Sequence, residues 1–225
     1  MVPNHITAHV DSAVCCGCEA KRTVPNAQRF ETGASTRGFI NLRQIGGPLV
    51  FFRELETKRM LLRNIAYEDR DFVLDQFSNV AVNTYLYDSE PLADIHDAEE
   101  IIEFYLQPEP RPHHRWILVT REGTKIGTCG FHCWNRSEGR CEIGYDLNPD
   151  FWGKGFMEEA IRAALRFAEN DMKIRRVDAC IYPENEKSLK LAERLGFEFT
   201  GETRSLTFRG EEYLHIICSL CIEKH

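Results

Sequence analysis

The chain has 225 residues, 43% of them apolar and 11% aromatic, enough for one sizeable core and an appendage but too few for two full domains. Its 28 basic and 35 acidic residues give a net charge of −7, which argues against a nucleic-acid backbone as partner, since such binding depends on clustered cations releasing counterions. No apolar run approaches the ~20 residues that span a bilayer, and the first residues lack the basic start and apolar segment of a secretory signal, so a cytoplasmic protein with no membrane partner and reduced cysteines is expected.

Residues 1–48 show little periodicity and end at Gly46-Gly47-Pro48, which predicts a poorly structured or surface-packed extension and a single domain over 49–225. Cys15, Cys16 and Cys18, with His5 and His9 upstream, admit a metal site or reactive thiols. The absence of a second ligand pair favours an inert tail, and no metal is expected.

From Leu49 strand and helix signals alternate. Arg59–Arg63 is strand-like, and Phe72, Val73 and Phe77 recur at helical spacing within Glu68–Phe77. A second helix is predicted over Asp97–Leu106. Trp116–Thr120 reads as a strand that turns at Arg121–Thr124 into Lys125–His132. Arg140–Leu147 alternates Cys141, Ile143, Tyr145 and Leu147 with Glu142, Gly144 and Asp146, and Asn148-Pro149 stops it. Phe156–Asn170 carries a helical apolar stripe, Arg176–Tyr182 returns as a strand, and Asn185–Leu195 is a helix stopped by Gly196. Strands near Phe197–Thr200 and Glu212–Leu220 close the chain. The pattern predicts a mixed α/β sheet flanked by helices.

The most informative stretch joins a strand to a long helix through Trp152, Gly153, Lys154, Gly155, Phe156 and Met157. Glycine allows positive φ and close backbone approach, and the unpaired N–H groups of a first helical turn form an anion site to which Lys154 adds charge. By itself such a loop is more often a plain turn.

With Leu55–Arg63, Ile143-Gly-Tyr145, Trp152–Gly155, Glu159-Ala160, Asn185-x-x-Ser188, Leu195-Gly-Phe197 and Gly210-x-x-Tyr213 in order, the sequence resembles the GNAT acetyltransferases, most closely the RimJ/RimL branch of ribosomal-protein N-acetyltransferases. The resemblance implies a GNAT fold of about seven strands and about four helices, mostly antiparallel, with parallel strands Ile143–Leu147 and Val177–Ile181 splayed around acetyl-CoA. It implies pyrophosphate binding by the Trp152–Met157 loop, Met157 departing from the usual small residue. Tyr145, Asp146 and Leu147 would line the pantetheine, with a main-chain N–H near Tyr145 or Asp146 holding the thioester carbonyl. Asn185 would bind pantetheine or water, although its type also suits a helix N-cap.

An amine nucleophile must lose a proton and the departing thiolate must gain one. Glu142, opposite the core-facing residues of its strand, is the first choice of base, and Ser188 matches the branch's proton donor. His132 and His215 are alternative bases, His215 standing where relatives tend to carry Asp. The acceptor is expected to be a protein N-terminus, a polyamine or a small-molecule amine, chosen by the irregular segments Asn79–Ile95, Gln107–His114 and Arg204–Glu212. Dimers are common in such enzymes. Two rival functions are a non-catalytic acyl-CoA sensor and a scaffold acting through the extension.

Overall fold

The computed structural model describes residues 51–222. The predicted extension, with His5, His9, Cys15, Cys16 and Cys18, lies outside them. The strands are β1 (Leu55–Glu56), β2 (Met60–Asn64), β3 (His114–Thr120), β4 (Lys125–Asn135), β5 (Arg140–Leu147), β6 (Arg176–Ile181), β7 (Glu198–Phe208) and β8 (Glu211–Cys221). The α-helices are α1 (Arg70–Ser78), α2 (Val80–Asn83), α3 (Ile95–Tyr105), α4 (Phe156–Asn170) and α5 (Glu186–Leu195). The eight strands form one sheet in the order β1-β2-β3-β4-β5-β6-β8-β7, every pair antiparallel except β5 with β6. One strand and one helix more than expected arise from β1 and α2, of two and four residues, too short to leave a periodic signal.

Both faces of the sheet are covered, and β3 shows why its run is so apolar. Successive side chains point to opposite faces. Trp116 and Leu118 join the larger core with Ala160, Ala164 and Phe167 of α4, while Ile117 packs with Val73 of α1 and Ile102 of α3. All of these are 0–1% exposed. In α4 Ala160, Ala163, Ala164 and Ala168 are buried beside Ile161 and Phe167, so small side chains line much of the packed face. α3 starts two residues before its predicted start because Asp94 accepts from the His96 and Asp97 amides and Asp97 reciprocates, a capping box.

The largest departure lies at the end of the chain. Arg204–Glu212 was expected to be an irregular selecting loop, but it is the end of a long hairpin paired from Thr203↔Ile216 to Phe208↔Glu211. β7 is the sheet's outer strand and is solvent-exposed along most of its length, so it has no buried face to impose apolar alternation.

Candidate active site

β5 and β6 pair only at Arg140↔Arg176, Cys141↔Val177 and Glu142↔Asp178, and then part. Asn148 N–H bonds the Ile126 carbonyl, in continuation of the β4–β5 register. Alternation along an antiparallel ladder therefore turns the main chain of Asp146 toward β4 and that of Tyr145 and Leu147 toward the opening. The Leu147 carbonyl is taken by Trp152, whose indole N–H donates at 2.7 Å. The Tyr145 amide thus faces the crevice, while Asp146, expected as an equal candidate for this contact, spends its amide on the sheet.

Asp146 is instead the centre of a buried polar cluster. Its carboxylate accepts from Gln76 at 2.8 Å, from Arg115 at 3.0 Å and from the Thr128 hydroxyl. Arg115 also bonds Thr128 at 2.7 Å and His132 Nε2 at 3.1 Å. The guanidinium can only donate, so Nε2 is the unprotonated nitrogen of His132. Burial, with Arg115 beside it, pushes the His132 imidazole down to about 3, which removes it as a base near neutrality.

That shift carries a stability signature. The folded state refuses a proton that unfolded His accepts below its ordinary 6.5, so stability is complete above that pH and is lost as pH falls from there toward 3. We expect this one group to contribute a slope of up to about 1.4 kcal/mol per pH unit across that window. Denaturant melts of His132→Gln between pH 4 and 7 check it: an unchanged slope would refute the buried neutral imidazole.

At the mouth of the crevice Gly153 and Gly155 adopt φ of 71° and 75°, in the left-handed region, and Gly155 is the residue before α4. The loop is held from a distance. Arg59 donates its Nε to Glu159 at 2.6 Å and Nη1 to the Lys154 carbonyl at 2.8 Å, and lies 4.3 Å from the Phe156 ring centroid. Glu159 also accepts the Arg59 amide at 2.8 Å. Pinning that carbonyl aside leaves the amides of the first α4 turn for an anion.

A groove of about 950 Å³ runs from this loop to the crevice, bordered by Leu147, Trp152, Gly153, Gly155, Phe156, Met157, Asn185 and Ser188. Lys154 is not on this border; its ammonium lies 5.4 Å from the Phe151 ring centroid. Cationic lining comes from Lys187, Lys190 and Arg194, one face of α5 that the sequence analysis passed over although the i, i+3, i+7 spacing was legible. Asn185 caps α5, its side-chain oxygen accepting the Ser188 amide at 3.2 Å, and also borders the groove.

A second cavity of about 210 Å³ meets the groove where both are bordered by Tyr145, Asp146, Asn185 and Ser188. The Tyr145 hydroxyl is hydrogen-bonded to Ser188, and burial pushes its pKa up to about 12, so it stays protonated at neutral pH. Glu142 borders this cavity, but Arg204 grips both carboxylate oxygens, at 2.8 and 2.9 Å. His215 borders it too, 4% exposed, with Nδ1 at 2.8 Å from the Tyr213 carbonyl. A carbonyl only accepts, so Nδ1 carries the hydrogen and the neutral ring keeps its lone pair at Nε2. Burial lowers the His215 pKa from its usual value, opposed by the Tyr213 bond.

A sheet opened between two parallel strands, with a glycine loop at the mouth of the opening and a second cavity at its inner end, is the arrangement expected of the acetyltransferase class that the sequence motifs resemble. The comparisons agree. Residues 59–198 match the family model of the acetyltransferase (GNAT) domain. The "uncharacterized N-acetyltransferase p20" of Bacillus licheniformis is 34% identical over 152 residues, 67% of this chain and 85% of that protein. The ribosomal protein uS5-alanine N-acetyltransferase of Escherichia coli is 36% identical over 110 residues, 48% of this chain and 53% of its own. The crystal structure of spermidine N-acetyltransferase from Vibrio cholerae in complex with CoA and spermine superposes with a TM-score of 0.65 at 19% identity, covering 73% of this chain and 96% of that one, a likeness of fold. The chain belongs to the GNAT family and is an N-acetyltransferase. Among the described residues no helix is long and apolar enough to cross a membrane, and no group of three or more His, Cys, Asp or Glu is placed to hold a metal.

Proposed function

We propose that the protein transfers the acetyl group of acetyl-CoA to a primary amine by direct attack in a ternary complex. The observation that carries this is the meeting of the two cavities at Tyr145, Asn185 and Ser188, beside the parted strands. The groove suits the coenzyme: the amides of Gly153 to Met157 receive the pyrophosphate, and the Tyr145 amide faces the thioester carbonyl, where it stabilises developing negative charge. The smaller cavity takes the amine. As the amine nitrogen bonds the acetyl carbon, the C–S bond breaks, a proton leaves nitrogen, and sulfur receives one. His215 Nε2 is positioned to accept the first proton, and the Tyr145–Ser188 hydroxyl pair to support the departing sulfur.

Glu142 stood first as base on strand pattern alone, and its fork with Arg204 favours a different role. Both carboxylate oxygens are engaged by the guanidinium, so the lone pairs that a base would turn to the amine are directed at Arg204 instead. We assign it to holding Arg204, and with it β7, against the cavity. Glu142→Gln is therefore expected to reduce kcat less than ~10-fold and to keep the acidic limb of the pH profile. A loss of ~10²-fold with the limb abolished would restore it as base.

Relatives named for protein N-termini and for spermidine support an amine acceptor and do not choose between the RimJ/RimL assignment and a polyamine enzyme. The test is thiol release from acetyl-CoA against an amine panel, with mass spectrometry of the product. Coenzyme binding without amine-dependent release would favour the sensor.

A further inference from the structure

The smaller cavity carries a charge pattern that bears on which amine enters it. Its ionic groups are mostly matched within the protein. Glu142 is paired with Arg204 and Arg115 with Asp146, so each pair contributes little net charge. His132 and His215 are held toward their neutral forms by burial. The exception is Asp88, in the segment between α2 and α3. It borders the cavity and forms no salt bridge to another described residue, although Arg115 and His215 are near enough to act on its charge. It is exposed at the cavity yet set among protein atoms. That crowding raises its carboxyl above the ordinary value.

Aromatic rings stand beside His215, whose charge Asp88 also feels. Tyr87 stacks on Tyr213 with centroids 3.8 Å apart and meets Tyr182 at 4.8 Å. Tyr182 and Tyr87 lie 5.5 and 6.1 Å from the His215 ring. The electron-rich faces of such rings attract a cation, the more so where water is excluded. Beyond this group the wall turns apolar, with Phe77, Leu92, Ile101 and Phe104.

Size sets a further limit. The volume of about 210 Å³ is below the 300–1,000 Å³ usual for small-molecule sites. An apolar cavity of about 150 Å³ accommodates a benzene, and a water in the liquid takes about 30 Å³. A single six-membered ring therefore fits, with room left for a stem of about two carbons.

We infer that the acceptor is a monocationic primary amine on a short stem ending in one aromatic or compact apolar group, its ammonium at Asp88 on the side of His215 and its tyrosines, and its stem toward Phe77 and Phe104. This rests on the proposed acetyl transfer and narrows it. Polyamines fit poorly, since Glu184, the other carboxylate near the tyrosines, lies on the groove side, and ammonium groups carried toward Phe77 and Phe104 would meet an apolar wall. Burying a charge without a partner is costly, whereas a ring buried there gains from leaving water. The ammonium at Asp88 gives one proton to His215; the neutral nitrogen then bonds the acetyl carbon, and as the C–S bond breaks the nitrogen's second proton is lost while the departing sulfur is protonated through the Tyr145–Ser188 hydroxyl pair.

The experiment uses the full chain with saturating acetyl-CoA and three probes: phenethylamine, spermidine and a tripeptide with an amino-terminal alanine. The inference expects kcat/KM for phenethylamine to exceed that for either of the others at least tenfold. It also expects Asp88→Asn to raise the phenethylamine KM tenfold or more while the acetyl-CoA Kd, measured by calorimetry, stays within twofold. Spermidine or the peptide as the better substrate, or an unchanged KM in Asp88→Asn, overturns the inference and leaves acetyl transfer standing. No acetyl-CoA binding, or no turnover with any amine, instead overturns the function on which it rests. Tyr87→Leu is the second variant: it keeps bulk and removes the ring, and a phenethylamine KM unmoved by it would also count against the aromatic site.

Discussion

Replacing His215 with alanine is expected to lower kcat with the preferred amine by ~10² to 10⁴-fold, the range that a positioned general base contributes. The ring is fixed by the Tyr213 carbonyl, which binds the Nδ1 hydrogen and so leaves Nε2 as the proton acceptor. Its pKa lies below the ordinary 6.5, chiefly through burial. Above that lowered value the base is neutral and competent; below it the ring is protonated and cannot accept. The acidic limb of kcat/KM should accordingly fall below pH 6.5 in the wild type, modulated by Asp88, Arg204 and Glu142 around the same cavity. In His215→Ala that limb should vanish. A variant retaining both turnover and limb would remove His215 from the chemistry.

Gly155→Asp is expected to weaken acetyl-CoA binding at least tenfold, about 1.4 kcal/mol or more, by calorimetry. Two effects act together. Gly155 has φ of 75°, where a side chain costs roughly 1–2 kcal/mol, and an added Cβ would come 3.5 Å from Arg59 Nη2. A carboxylate at this position also sets a negative charge against the first turn of α4, where the proposed pyrophosphate would sit. Gly155→Ala separates the two, since it keeps the strain and lacks the charge. If both variants bind acetyl-CoA as the wild type does while folded, the loop is not the anion site.

Much of this site was legible because it depends on local rules. α4 runs over the predicted Phe156–Asn170, where an apolar stripe follows a glycine loop, and α5 is capped by the Asn185 and Gly196 that its sequence advertised. The acceptor side was not legible. Tyr87 and Asp88 lie in an aperiodic segment and acquire a role only when β8 brings Tyr213 and His215 against them. The strand pattern placed Glu142 on the correct face but could not show that Arg204, 62 residues later, grips it. Lys154 was expected at the phosphate from its place in the loop, and its ammonium lies 5.4 Å from the ring of Phe151, a residue that borders the groove. Periodicity reports which face of an element is buried; it does not report which distant side chain meets that face.

The hold of Arg59 on the Lys154 carbonyl reaches beyond the resting shape of the loop. The contact spans 95 residues, and its companion to Glu159 spans 100. Loop-closure entropy of that order must be met before either bond can form. The shape of the proposed coenzyme loop therefore depends on the turn between β1 and β2 docking on α4. The Gly153–Gly155 sequence thus holds the letters of the proposed site, while a side chain 95 residues earlier completes its shape.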